Sequence, residues 1–243
     1  MNKKIAQIID FSKSYAKNDY AVKNINFDIY AGKFHAFIGS NGAGKTTTIK
    51  ALVNAYEKWE GKILINNIEN HYAQAKYKLG YMPENPIFPS NFTSYDYLYS
   101  FALLSGQKKD QAQENIKTLS DNLKIEELLY KKPHNFSSGQ KKKILLAQSL
   151  INNPDLLVMD EPAANLDPNA REELFSVLNS LKDKGKTIFI STHELHEISR
   201  FVDFVTIIDK GTLIYTGEFK QDSKCDLNQF YFLKIKEFYD KKI

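Results

Sequence analysis

Residues 39–46 read GSNGAGKT, the pattern G-x-x-x-x-G-K-[ST]. The apolar run FHAFI (34–38) precedes it, and TTTIKALVNAYE, a helix-forming stretch, follows. Strand, glycine-rich turn and helix in that order suit phosphate. Glycines let the chain curl until successive N–H groups converge on phosphate oxygens, and the helix N-terminus adds positive potential. Lys45 brings a point charge to the β- and γ-phosphates, and the Thr46 hydroxyl can ligate Mg²⁺. A second group of reactive residues closes LLVMDEP (156–162). Asp160, at the tip of an apolar strand, can hold Mg²⁺ through water, and Glu161 can orient or deprotonate an attacking water. Together the two motifs point to phosphoryl transfer from a nucleotide to water.

These residues need a scaffold. The runs FHAFI, KILI (62–65), LLVM (156–159), TIFI (187–190) and FVTII (204–208) read as strands. The last four-residue runs, LLVM and TIFI, are apolar but for Thr187, as strands buried on both faces are. Helical patterns between them predict βαβ units and a mostly parallel sheet. Near the start, IAQIIDF and VKNINFDIY alternate with no helix between them, which predicts an antiparallel flap. From about Thr93 to Asn152 no strand pattern is found. TSYDYLYSFALLSG predicts a helix with Thr93 as N-cap, Asp96 three residues on and Gly106 past its end. KKDQAQENIKTLSDNL and KIEELLYKK are further helical stretches, and the proline-bearing loop MPENPIFPSN (82–91) joins this helical insert to the core.

Within the insert's end stands FSSGQKKK (136–143), followed by a good helix, GQKKKILLAQSLI. Ser137, Ser138 and Gly139 are small and carry hydroxyl and N–H donors. Lys141, Lys142 and Lys143 fall in the early turns, where the helix dipole disfavours cations. For most of the three, the plain reading is a solvated helix face. The order of GSNGAGKTT, FSSGQ, LLVMDEP, ANLD (164–167) and STH (191–193) resembles the ATP-binding cassette family over nearly the whole chain. The resemblance implies an α/β fold: a P-loop NTPase (RecA-like) core with a mostly parallel sheet, an N-terminal antiparallel β flap and an inserted all-helical lobe. Residues 1–83 and 153–221 would form the core, 84–152 the lobe and 222–243 a helical tail.

The same resemblance assigns roles. Gly39, Ser40, Asn41, Gly42, Ala43, Gly44, Lys45, Thr46 and Thr47 would hold the phosphates of ATP. Thr46, Asp160 and Glu84 would meet Mg²⁺. Glu161 and His193 would act with Lys45 at the γ-phosphate. Tyr15, 24 residues ahead of Gly39, would stack on adenine. Ser137, Ser138, Gly139 and Gln140 would reach the γ-phosphate of ATP held by a second chain, with Asp167 at the interface. Asp167 is also a good N-cap, with Pro168 in the first helical position. Three positions depart from the family pattern, among them Phe136, which replaces the signature's Leu and is expected to pack beneath the loop. Glu84 stands where Gln is usual, adding a charge near the γ-phosphate, and Ser138 replaces the first Gly of the signature.

Several functions are excluded or disfavoured. With 33 basic and 29 acidic residues the formal net charge is +4, too small an excess to imply nucleic acid. HELHE (193–197) is no zinc helix, because Glu197 stands where H-E-x-x-H needs His. The lone Cys225 allows no internal disulfide. No stretch approaches the 18 or so apolar residues of a membrane span. Transport would therefore need a separate transmembrane permease subunit, contacted through the lobe and PIFPSNF (86–92), with Phe88 and Phe92 as candidate anchors. A second ATP-binding subunit would complete the pair at the cytoplasmic face of the membrane. YMPEN followed by a short lobe looks most like exporters with separately encoded membrane subunits. The alternatives are a soluble member of the superfamily acting on ribosomes, nucleic acid or cluster assembly, and a nucleotide-gated binding module.

Overall fold

A computed structural model describes residues 2–16, 19–56, 58–221 and 226–241. Cys225 and the first residues of the expected tail lie outside them. Two sheets divide the strands. A six-stranded sheet has the order β10-β9-β3-β8-β7-β6, built from β3 (Phe34–Ile38), β6 (Leu79–Met82), β7 (Leu156–Met159), β8 (Thr187–Thr192), β9 (Phe204–Asp209) and β10 (Thr212–Glu218). All its pairings are parallel except β10 with β9. A four-stranded antiparallel sheet has the order β2-β1-β4-β5, from β1 (Lys4–Ala16), β2 (Asp19–Tyr30), β4 (Glu60–Ile65) and β5 (Ile68–Glu69).

The unbroken apolar runs are explained by what covers each face. Alternate residues of one strand serve two cores, because successive side chains of a strand point to opposite faces. Phe34, Ala36 and Ile38 of β3, Leu157 and Met159 of β7, and Ile188 and Ile190 of β8 join the core beneath the helices. Phe37, Leu156, Val158 and Phe189 join the core shared with the antiparallel sheet. Each of these strands is therefore buried along its whole length, on both faces.

KILI belongs to a different sheet from the one its composition suggests. It forms the end of β4, which pairs antiparallel with β1, Ile8 opposite Ile63. Only one face of β4 is covered: Ile63 and Ile65 are buried while Lys62 is exposed. Conversely, β6 was not foreseen. Its four residues, LGYM, include a glycine and run into the proline loop, so neither β-propensity nor length marks them.

The helices follow local rules. In α1 (Lys45–Leu52) the helix is shorter than TTTIKALVNAYE suggests, and Asn54 beyond it adopts φ 58°. The buried Asn70 side chain donates to the carbonyls of Ala51 and Leu52 at 2.6 and 3.0 Å, satisfying the helix's last acceptors. After the single turn α2 (Ala73–Lys76), α3 (Ser94–Leu104) begins with the expected capping box between Thr93 and Asp96. The lobe continues through α4 (Lys109–Leu123) to α5 (Ser138–Leu150). KIEELLYKK forms only one 3₁₀ turn, Glu126–Leu128. Asp167 caps α6 (Pro168–Asp183), accepting from the Ala170 N–H at 3.0 Å. Finally, α7 (Leu227–Asp240) starts from a capping box of Asp226 and Gln229.

The turn between β9 and β10 ties the antiparallel sheet to the glycine-rich turn that follows β3. Gly211 N–H donates to Ala43 O at 3.0 Å, and Lys23 N–H donates to Gly211 O at 2.9 Å. Gly211 has φ 72°, and a Cβ there would sit 2.6 Å from Ala21 O. Among the described residues no helix is long and apolar enough to cross a membrane.

Candidate nucleotide and hydrolysis site

The turn GSNGAGKT joins β3 to α1 at the carboxyl edge of the six-stranded sheet, where open α/β sheets place ligands. Gly44 precedes α1 in a left-handed conformation, φ 106°, and no side chain caps the helix. A Cβ on Gly44 would lie 2.6 Å from Val22 Cγ2 and 2.9 Å from Ala21 O. The first intrahelical bond runs from Thr48 N–H to Gly44 O, at 3.0 Å. The amides of Lys45, Thr46 and Thr47 thus have no intrahelical acceptor and are free for an anion.

Lys45 is buried, and its ammonium donates to the turn's own carbonyls, Gly39 O at 2.8 Å and Ser40 O at 3.2 Å. It also lies 3.2 Å from Glu161 Oε1, in an ion pair without a hydrogen-bonding angle. That oxygen is buried and has no hydrogen-bond partner among the described residues. Glu161 Oε2 is 3.0 Å from His193 Nδ1. Lys45, Glu161 and His193 therefore form one connected group, although they come from the start of α1 and from the segments after β7 and β8.

Asp160 sits at the end of β7, fully buried. Its Oδ1 accepts from Thr46 Oγ1 at 3.2 Å and from Ser191 Oγ at 2.7 Å. Thr46 and Asp160 thus present two hard oxygen donors side by side. That set fits Mg²⁺, which binds through one or two protein oxygens plus waters and phosphates. Glu84 lines the same cleft. Among the described residues no three His, Cys, Asp or Glu side chains gather into a metal cluster. Burial, then the charges of Asp160 and Glu84, push the Tyr81 phenol up to about 12, so it stays neutral beside the carboxylates.

Glu161 adopts φ 44°, an uncommon conformation for a residue with a Cβ. Its backbone is held on both sides. Its N–H donates to Ser191 Oγ at 2.9 Å, and its carbonyl accepts from Ala164 N–H at 3.2 Å and from Lys142 Nζ at 3.3 Å. Ser191, the first residue of STH, fixes both acidic residues at once; the motif flagged it, but without a role. Of the three lysines expected mostly on a solvated face, Lys142 is the exception: it is buried. Lys143 does fit that reading, pairing with Glu173 at 2.8 Å on the surface.

The cleft measures about 610 Å³ and is lined by Tyr15, Asn41, Gly42, Gly44, Lys45, Thr46, Thr47, Glu84, Glu161 and His193, with Ala164 and Asn165. Tyr15 stands at its rim, mostly exposed. Its hydroxyl is 3.1 Å from Thr47 Oγ1 and 2.6 Å from the hydroxyl of Tyr56, a residue the sequence reading did not single out. The two rings meet edge to face, 6.0 Å apart. Ser137, Ser138, Gly139 and Gln140 do not line the cleft. They form the front of α5, where Ser137 and Gln140 make a capping box and Ser138 Oγ donates to Asn165 O at 2.8 Å.

Residues 22–164 match the ABC transporter family. The chain belongs to that family. The resemblance drawn from its motifs is thereby confirmed, as is the P-loop α/β fold. This cassette is 43% identical over 215 residues to an ABC transporter ATP-binding protein of Mycoplasma pneumoniae; the match covers 88% of this chain and 65% of that one. It is 32% identical over 216 residues to the Nod factor export ATP-binding protein I of Burkholderia lata, covering 86% and 71%. The solved ATP-binding subunit of an ABC transporter superposes with a TM-score of 0.84 at 27% identity, covering 95% of this cassette and 99% of that chain. The chain thus spans about two thirds of the length of the first of these relatives. It is an ATP-binding subunit of a family that hydrolyses ATP, and whose ATP-binding subunits dimerise and work with transmembrane subunits.

Proposed function

We propose that this cassette hydrolyses ATP to drive an exporter whose membrane-spanning part is a separate chain. The observation that carries the reading is the group Lys45, Glu161 and His193, joined at 3.2 and 3.0 Å in the cleft beside the uncapped end of α1. The α1 amides and Lys45 would receive the β- and γ-phosphates, and Tyr15 would stack on the base. Glu161, with His193 orienting its carboxylate, would position the attacking water and take its proton. Thr46 and Asp160 would hold Mg²⁺, which supplies charge neutralisation for the phosphates; Glu84 is proposed as a further contact there. Little covalent help is needed, because positioning and electrostatics dominate phosphoryl transfer.

Ser137–Gln140 lie off this chain's own cleft, which supports a head-to-tail pair in which each signature completes the partner's site. ATP would close such a pair and hydrolysis would reopen it. The exporter assignment draws on the export relative. The docking face proposed for that chain is on the lobe, with Phe92 exposed and Phe88 packed against Tyr97.

Glu161→Gln tests the site. ATP binding should persist while turnover drops by two orders of magnitude or more; turnover near the parental value would remove Glu161 from its role. Purification in mild detergent tests the partner. A stoichiometric multi-span membrane protein supports transport, whereas ribosomes or nucleic acid would leave the ATPase and overturn the exporter.

A further inference from the structure

Lysine is costly to bury, and an apolar side chain of similar length could fill its place in a helix without that cost. Lys142 is nevertheless 7% exposed on the second turn of α5, one residue from a surface lysine and followed by the buried run Ile144–Ala147. Its ammonium donates to Glu84 O at 2.8 Å and to Glu161 O at 3.3 Å. Those carbonyls belong to the two loops that deliver carboxylates to the cleft from β6 and β7. The lysine itself stands two residues beyond Gln140, on the helix that the signature opens. One side chain therefore joins three segments otherwise far apart in the chain. Burial lowers the ammonium's proton affinity, while Glu84, Asp160 and Glu161 act to raise it.

We infer that Lys142 is a positioning residue for hydrolysis: it fixes the left-handed peptide of Glu161, and through it the catalytic carboxylate, to the front of α5. This rests on Glu161 being the catalytic carboxylate. The lysine does not line the cleft. It acts by holding the Glu161 carbonyl opposite the point where Ser191 holds the Glu161 N–H. A shift of the α5 N-terminus would then move Glu161, so the signature's engagement would be felt at the attacking water.

The test compares full-length Lys142→Met, Lys142→Arg and Lys143→Met with the parent, measuring steady-state ATP turnover, affinity for a fluorescent ATP analogue and thermal melting. Lys142→Met should lower kcat at least tenfold with affinity changed less than threefold, and Lys142→Arg should recover part of the loss. Lys143→Met should match the parent. Parental kcat in Lys142→Met, an equal loss in Lys143→Met, or a loss confined to affinity would each overturn the inference. If Lys142→Met fails to fold, Lys142→Gln carries the test: a folded protein with reduced kcat supports the role and full turnover rejects it. Glu161→Gln separates the two failures. If it abolishes turnover while Lys142→Met does not, only the positioning role falls; if it keeps turnover, the site reading falls first.

Discussion

Two helix N-termini in this molecule carry glycine-containing motifs, and they are built in opposite ways. At α1 the residue before the helix is Gly44, left-handed, with no capping side chain. At α5 the residue before the helix is Ser137, whose hydroxyl accepts from Gln140 N–H while Gln140 Oε1 accepts from Ser137 N–H. An uncapped helix end retains its full set of N–H donors and is unstable without a partner; a capped one is content alone and offers only the amides of its first turn. The first is thus a complete anion receptor inside one chain. The second is a preformed but partial surface, consistent with adding to a site completed elsewhere.

Breaking the first end should have the largest effect. Gly44→Ala forces a Cβ against Val22 and Ala21 in a conformation alanine avoids. ATP affinity should fall by on the order of a hundredfold, about 2.7 kcal/mol, read by nucleotide titration. Gly139→Ala separates the two ends. A Cβ there would meet only Leu166 Cδ2 at 3.9 Å, an ordinary contact. Melting temperature and ATP affinity of the single chain should be retained while turnover falls about tenfold, some 1.4 kcal/mol; loss of affinity in the isolated chain would contradict a signature that serves a second subunit.

Acid should distinguish the scaffolds beneath the two ends. His35 lies in β3, the strand that leads into the α1 cradle, and burial lowers its pKa to about 4 from the usual 6.5. The unfolded chain takes up its proton first, so stability is complete above pH 6.5 and declines as pH falls from 6.5 toward 4. Chemical denaturation should show a loss of about 2 kcal/mol between pH 7.5 and 5 attributable to this group, and His35→Gln should flatten that slope. The smallest effect belongs to Ser137→Ala. Losing one cap should cost about 1 kcal/mol, measured by denaturant midpoint, without altering ATP affinity.

Legibility in the sequence tracked how local each interaction is. The cradle, the caps at Thr93 and Asp167 and the apolar strands β3, β7, β8 and β9 depend on neighbours in the chain, and they could be read there. KILI could not be assigned to its sheet, because its partner is β1, some fifty residues away, and its composition alone does not say which face is covered. Strand β6 is marked by its parallel pairing with β7, a contact across the whole helical insert. Within the site, the residue types of Lys45, Asp160 and Glu161 announced themselves. Ser191 and Lys142 did not, since each acts on backbone groups of residues distant in sequence, and a lysine inside KKK looks like a charge run until its burial is known.

The turn at Gly211 has a consequence for how this chain tolerates change. The joint between the antiparallel sheet and the phosphate-binding turn is made by main-chain groups of Lys23, Gly211 and Ala43. Drift in the side chains of Lys23 would leave those bonds intact, while any replacement of Gly211 would meet Ala21 O and push the hairpin off the cradle. Substitutions should therefore be freely accepted along much of that seam and refused at one position, so that a single-residue fault there would be felt as a loss of nucleotide binding by a residue that touches no nucleotide.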